Sequence, residues 1–189
     1  MTLTANDGRT VFSATEPSTP RLRLRSGGTR EVLDGGWWPR STDPVAEIPG
    51  LVLAIDAVRG PITRMMLASG DWESHPRRLA VNGRLVRLGY FNSQPPGLLI
   101  ALSGGADARV DLAVIPPGTT ATVAEVALTL AATRGNRIHA QNVVPSASAA
   151  AASSGSRSAE RPEDAWETDG GHVAGTKTPD LDDDLHVSR

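Results

Sequence analysis

Polar and apolar residues alternate strictly at Arg21-Leu22-Arg23-Leu24-Arg25, the mark of a strand with one buried and one polar face. The strongest local signal is Arg78-Leu79-Ala80-Val81-Asn82-Gly83-Arg84-Leu85-Val86-Arg87. Asn-Gly between two strand-like runs predicts a type I′ hairpin, whose central residues both need positive φ. A two-residue turn also predicts the register: Val81 opposite Arg84, Ala80 opposite Leu85, Leu79 opposite Val86, and Arg78 opposite Arg87. Ile62 to Ala68 reads as another strand. Leu98 to Ser103 and Arg109 to Ile115 read as a second hairpin joined by Gly104-Gly105-Ala106-Asp107, and Pro116-Pro117-Gly118 stops the sheet.

Two stretches carry helical spacing. Leu51, Val52, Ile55 and Val58 share one face, Asp43 is placed to cap with Pro44 at the first position, and Gly60-Pro61 ends the element. Pro49 predicts a kinked or separate first turn. Further on, Thr122 and Glu125 have capping-box spacing ahead of the stripe Val123, Val126, Ala127 and Leu130, with Gly135-Asn136 as the stop. The expected fold is α+β: a mostly antiparallel sheet of about six strands with two helices packed on one face. The other face is then wet or covered by a partner. Residues 1–19 are expected to form a flexible leader, 20–145 a single α+β domain, and 146–189 a disordered acidic tail rich in Ala and Ser.

Charge sharpens this division. The formal net charge of the 189 residues is −2, but residues 21–145 hold 14 Arg and no Lys against 10 acidic residues. Residues 146–189 hold 9 acidic residues against 4 basic ones, so a mildly basic body precedes an acidic tail. There are no cysteines, which removes disulfides, thiolate metal sites and cysteine nucleophiles, and suits a reducing compartment. The start MTLTANDGRT lacks the basic and apolar regions of a secretory signal. No run reaches the roughly 18 apolar residues of a membrane helix. The expectation is a soluble, cytoplasmic protein with no membrane contact.

Candidate chemistry centres on Asp34-Gly35-Gly36-Trp37-Trp38-Pro39-Arg40-Ser41, which places two of only four tryptophans side by side. Trp38 precedes proline and is pushed to extended angles, so adjacent indoles point to opposite sides. One is expected to fill the core and the other to form an exposed stacking wall. Arg78 and Arg87 are expected as like-charged neighbours on the face bearing Ala80, an arrangement that calls for an acidic partner. The expected function is a non-enzymatic binding or interaction module recognising an acidic or planar partner through Trp37, Trp38, Arg40, Arg78 and Arg87. An acidic protein or a small-molecule anion fits that surface. Two alternatives remain: a small enzyme using the loop residues Asp71, Glu73 and His75, or a weak nucleic-acid binder using the rows Arg21, Arg23, Arg25 and Arg78, Arg87. With +4 on the body and few strand aromatics, nucleic acid is the weaker fit. No second histidine stands at ligand spacing, and no phosphate loop, nucleophile elbow or dinucleotide fingerprint is present, so no catalytic residue, metal or cofactor is expected.

The chain resembles a family of small actinobacterial proteins classed as a domain of unknown function. The resemblance rests on RLRLR at 21–25, DGGWWPRS at 34–41, PRRLAVNGRLVRLGYF at 76–91 and VDLAVIPPGT at 110–119. It spans roughly residues 20 to 145 and brings no activity, substrate or catalytic residue with it.

Overall fold

Asn82 and Gly83 adopt φ of 48° and 75°, and the hairpin they close has the register their spacing predicts. In the computed structural model, which describes residues 10–26, 31–104 and 109–159, this hairpin is part of an eight-stranded sheet. The strands are β1 (Thr10–Phe12), β2 (Arg21–Leu24), β3 (Gly35–Trp38), β4 (Ile62–Ala68), β5 (Arg78–Val81), β6 (Arg84–Phe91), β7 (Leu98–Ser103) and β8 (Arg109–Val114). Their order across the sheet is β1-β5-β6-β4-β7-β8-β3-β2. Three helices complete the α+β fold: α1 (Pro44–Arg59), α2 (Ala121–Ala131) and α3 (Ala140–Ala159).

The sheet is larger and more mixed than the sequence suggested. β2–β3, β4–β7, β5–β6 and β7–β8 pair antiparallel, whereas β1–β5, β3–β8 and β4–β6 pair parallel. The parallel pairs join segments far apart in sequence and leave no turn signal. The short strand β3 is fully buried, so it shows no alternation of polarity. β1 lies before the limit 20 expected for the domain, and α3 begins inside the limit 145 and runs past it. Residues 105–107 of the expected glycine-rich turn, and residues 160–189 of the expected tail, fall outside the described residues.

The helices occupy both faces rather than one. α1 buries Ile48, Leu51, Val52 and Ile55 in a core with Trp37, Met65, Leu67, Leu79, Val86, Leu99 and Leu112. The α2 residues Ala124, Ala127 and Leu128 and the α3 residues Val143 and Ala147 pack in a second cluster with Trp38, Ala113 and Ile115. Adjacent strand residues point to opposite faces, so Trp37 and Trp38 assign these clusters to opposite sides of the sheet. α3 forms over part of the Ala/Ser stretch because Val143 and Ala147, four residues apart, lie against α2.

Two expectations about helix starts also change. α1 is one helix through Pro49, so the first turn is not separate, and burial of Pro49 helps offset the ~3 kcal/mol cost of an interior proline. Its cap is as expected: the Asp43 carboxylate accepts from Val45 N at 2.9 Å, with Pro44 next. α2 starts at Ala121 after Thr120 rather than after Thr122, without a side-chain cap.

Because α2 and α3 cover the β8–β3–β2 end and Leu98 and Ile100 of β7 are packed in beside it, the same face lies open over β1, β5, β6 and the amino half of β4. Phe12, Leu85 and Phe91 are exposed there, and a depression of about 600 Å3 lies among Thr63, Arg64, Arg78, Leu85, Arg87 and Leu102.

Candidate functional site

The tryptophan stretch proves to be a structural joint. Asp34 ties three segments together: its carbonyl accepts from Arg25 N, its N–H donates to Asp111 O, and its Oδ2 accepts from Asp111 N. Gly36 lets α2 approach closely, since a Cβ there would stand 3.1 Å from the Ala131 methyl carbon. Trp37 is completely buried and stacks on Trp72 at 5.7 Å between ring centroids. Trp38 is 8% exposed and is covered by the Arg21 guanidinium, 3.4 Å above its ring centre. The indoles do diverge, but both are buried. The expectation of an exposed stacking indole is therefore corrected: Arg21 occupies the ring face that a ligand would need.

Arg40 is exposed but stands apart from Arg78 and Arg87. It follows β3, which is four inter-strand spacings from β6, or about 19 Å. Its guanidinium bonds Ser18 Oγ and Thr19 O. Its N–H donates to the buried Glu47, whose other oxygen accepts from Ser41 Oγ. The five residues expected to form one site are thus not brought together.

What the fold does assemble is a row. Arg78 pairs with Arg87 across β5 and β6, and Arg64 pairs with Arg87 across β4 and β6. Directly paired side chains share a face, so three guanidinium groups stand on adjacent strands of the open face, each about 4.8 Å from the next in backbone spacing. Arg64 was not legible in the sequence. Continued alternation from Ile62 would turn it into the core, but the register shifts between Ile62 and Arg64, so both Ile62 and Met65 are buried and Arg64 is exposed.

The other arginines of the sheet have work inside the fold. Arg21 donates to Trp38 O and Pro39 O, Arg23 reaches Glu125, Arg25 pairs with Glu31 and Asp34, Arg84 with Asp56, and Arg109 with Asp111. The alternating row of β2 is therefore packing. The guanidinium groups of Arg64, Arg78 and Arg87 have neither an ion pair nor a hydrogen bond to any described residue. Like charges held directly opposite destabilise a sheet by up to about 1 kcal/mol per contact, and this row contains two such contacts.

The 70–77 loop does not gather its three titratable groups. The Asp71 carboxylate accepts from Gly97 N at 2.8 Å, Glu73 accepts from Thr42 Oγ1, and the His75 ring meets Ser69 and the edge of Tyr90. Glu73 and His75 are exposed, so the acid–base cluster considered from sequence has no common pocket. Among the described residues no group of three His, Cys, Asp or Glu is placed to hold a metal ion. Among the same residues no helix is long and apolar enough to cross a membrane.

Residues 21–131 match the family of unknown function DUF5994, which is more than half of the chain. The chain belongs to the DUF5994 family. No curated protein and no solved structure matches it. The DUF5994 match runs from β2 to the end of α2 and contains Trp37, Trp38, Arg64, Arg78 and Arg87, while β1 and α3 lie outside it.

Within the DUF5994 region, Tyr90 is the single tyrosine of the chain, and its hydroxyl is buried without a partner. Burial, and then the nearby Asp43 carboxylate, push its pKa above the ordinary 10.0. The folded state holds this proton more tightly than the unfolded state, so stability is retained below pH 10 and declines above it. Phenolate absorbance should rise at higher pH in the native protein than after unfolding. Tyr90→Phe should be neutral or slightly stabilising in urea unfolding, because it removes an unsatisfied hydroxyl. A clear loss of stability would show that this hydroxyl has a partner.

Proposed function

We propose that this protein is a non-enzymatic binding module of the cytoplasm, and that its recognition surface for an acidic polypeptide segment is the open sheet face bearing Arg64, Arg78 and Arg87. The observation that carries this reading is the row itself: three adjacent like charges with no acidic residue beside them among the described residues. An arrangement that weakens the free fold becomes favourable once carboxylates lie between the guanidinium groups. The flanking Phe12, Leu85 and Phe91, exposed at 72%, 53% and 42%, provide apolar contact suited to polypeptide side chains. A planar partner loses its support because both indoles are enclosed. Of the five positions expected from sequence, Arg78 and Arg87 are kept, Trp37 and Trp38 hold the sheet in shape, and Arg40 organises the β3–α1 connection.

Fluorescence anisotropy with a labelled oligoglutamate peptide tests the reading. Binding should weaken as salt rises, and reversing Arg78 and Arg87 together to Glu should weaken it by roughly tenfold or more. Equal affinity for the wild type and the double variant would remove the row from recognition. Tighter binding of single-stranded nucleic acid at the same salt would assign the row to another class of partner.

The free protein offers an independent check. Arg87→Glu replaces two like-charge contacts by two opposite ones, and should raise the unfolding free energy by about 1 kcal/mol. That corresponds to a melting temperature roughly 2–4 °C higher. Unchanged or lower stability would mean that the three groups already avoid one another.

A further inference from the structure

A second concavity lies away from the arginine row. β3, β4 and β8 run in the same direction, so their carboxyl ends share one edge of the sheet. At that edge a cavity of about 240 Å3 opens between the segments following these strands, the Pro96-Gly97 turn before β7 and the first turn of α3. The crevice outside the carboxyl ends of parallel strands is where open sheets with helices on both faces hold small ligands.

Its walls are mostly apolar: four prolines, Val114, Val144 and Trp72. Trp72 is braced from behind by the buried Trp37 ring. Of the polar groups on the wall, two are already engaged: Ser41 Oγ bonds Glu47 and Thr42 Oγ1 bonds Glu73. Asp71 is different. Its Oδ2 accepts from Gly97 N, which fixes the carboxylate in place, while Oδ1 has no partner among the described residues. Among the described residues no Arg, Lys or His lines the cavity, so no cationic side chain in its wall neutralises that carboxylate; the Gln141 amide and the first turn of α3 supply only neutral donors. A ligand carboxylate or phosphate placed against Asp71 would be repelled by it.

We infer that this cavity binds a small organic amine, with an apolar body against the proline and Trp72 wall and a protonated nitrogen donating to Asp71 Oδ1. The volume limits the ligand to about one ring with a short arm, below the usual range of larger ligand pockets. This site is independent of the acidic-partner surface, because the row lies on the open face near the amino ends of β4 and β6.

Benzylamine, benzyl alcohol and benzoate, which differ chiefly in the charge at one end, form the probe set. In amide-resolved NMR of the full chain, benzylamine should shift Asp71, Trp72, Gly97 and Gln141 saturably, benzyl alcohol weakly, and benzoate not at all. Asp71→Asn keeps an acceptor for Gly97 N but removes the charge, and should weaken benzylamine by roughly tenfold or more. Val144→Phe fills the cavity from α3 and should abolish binding while the melting temperature holds, so the inference remains testable if Asp71→Asn fails to fold. Arg87→Glu should leave benzylamine binding unchanged. Equal binding of benzoate, unchanged affinity in either cavity variant, or no saturable shift with benzylamine would each overturn the inference.

Discussion

Trp37→Ala is expected to lower the unfolding free energy by about 3–5 kcal/mol, the range for emptying a buried aromatic site. Trp37 is completely buried, it stacks on Trp72, and it sits on the short strand β3 between β2 and β8. Its removal leaves a cavity bounded by sheet, helix and a second large ring, none of which collapses easily. The melting temperature should fall by roughly 6–20 °C. The same substitution at Trp38 should cost less, because that ring retains slight exposure and its cover is the Arg21 side chain. A thermal melt of both variants checks the order, and a smaller loss at Trp37 than at Trp38 would contradict the packing described.

Gly35→Ala carries the second large effect. A Cβ at Gly35 would stand 2.2 Å from the carbonyl oxygen of Arg23, an overlap with backbone that no rotamer change relieves. β2 would have to move away from β3, taking with it the Arg21 cover of Trp38 and the contact of Arg23 with Glu125. The cost is expected at about 3 kcal/mol, the upper part of the range for forced overpacking. Hydrogen exchange gives a local readout: amides of Arg21–Leu24 should lose protection while those of β6 and β7 keep it. Gly118→Ala is the control, since nothing lies within 4 Å of its would-be Cβ. Intact protection of β2 in Gly35→Ala would show that the two strands have slack between them.

These two positions also show how far the sequence could be read. Local chemistry was legible: the Asn82-Gly83 turn, the register opposing Arg78 to Arg87, the Asp43 cap and the divergence of the two indoles. What escaped was non-local. Nothing near Trp38 announces that Arg21 will lie across its ring, so an indole with no visible cover read as exposed. Nothing near Arg64 announces the register shift that turns it outward, or the parallel pairing that sets it beside Arg87. Nor does an Ala/Ser-rich stretch show that α2 provides a surface for Val143 and Ala147. The candidate site was therefore half visible: two arginines were found by turn geometry, and the third required the sheet.

The account of function rests on where an acidic segment makes contact. Amide chemical-shift mapping during titration with an oligoglutamate peptide reads this directly. The prediction is saturable shifts confined to Arg64–Met66, Arg78–Ala80 and Leu85–Phe91, with α2 and the turn at Pro116-Pro117 silent. Saturable shifts centred on α2 and α3 instead, with β5 and β6 silent, would contradict it.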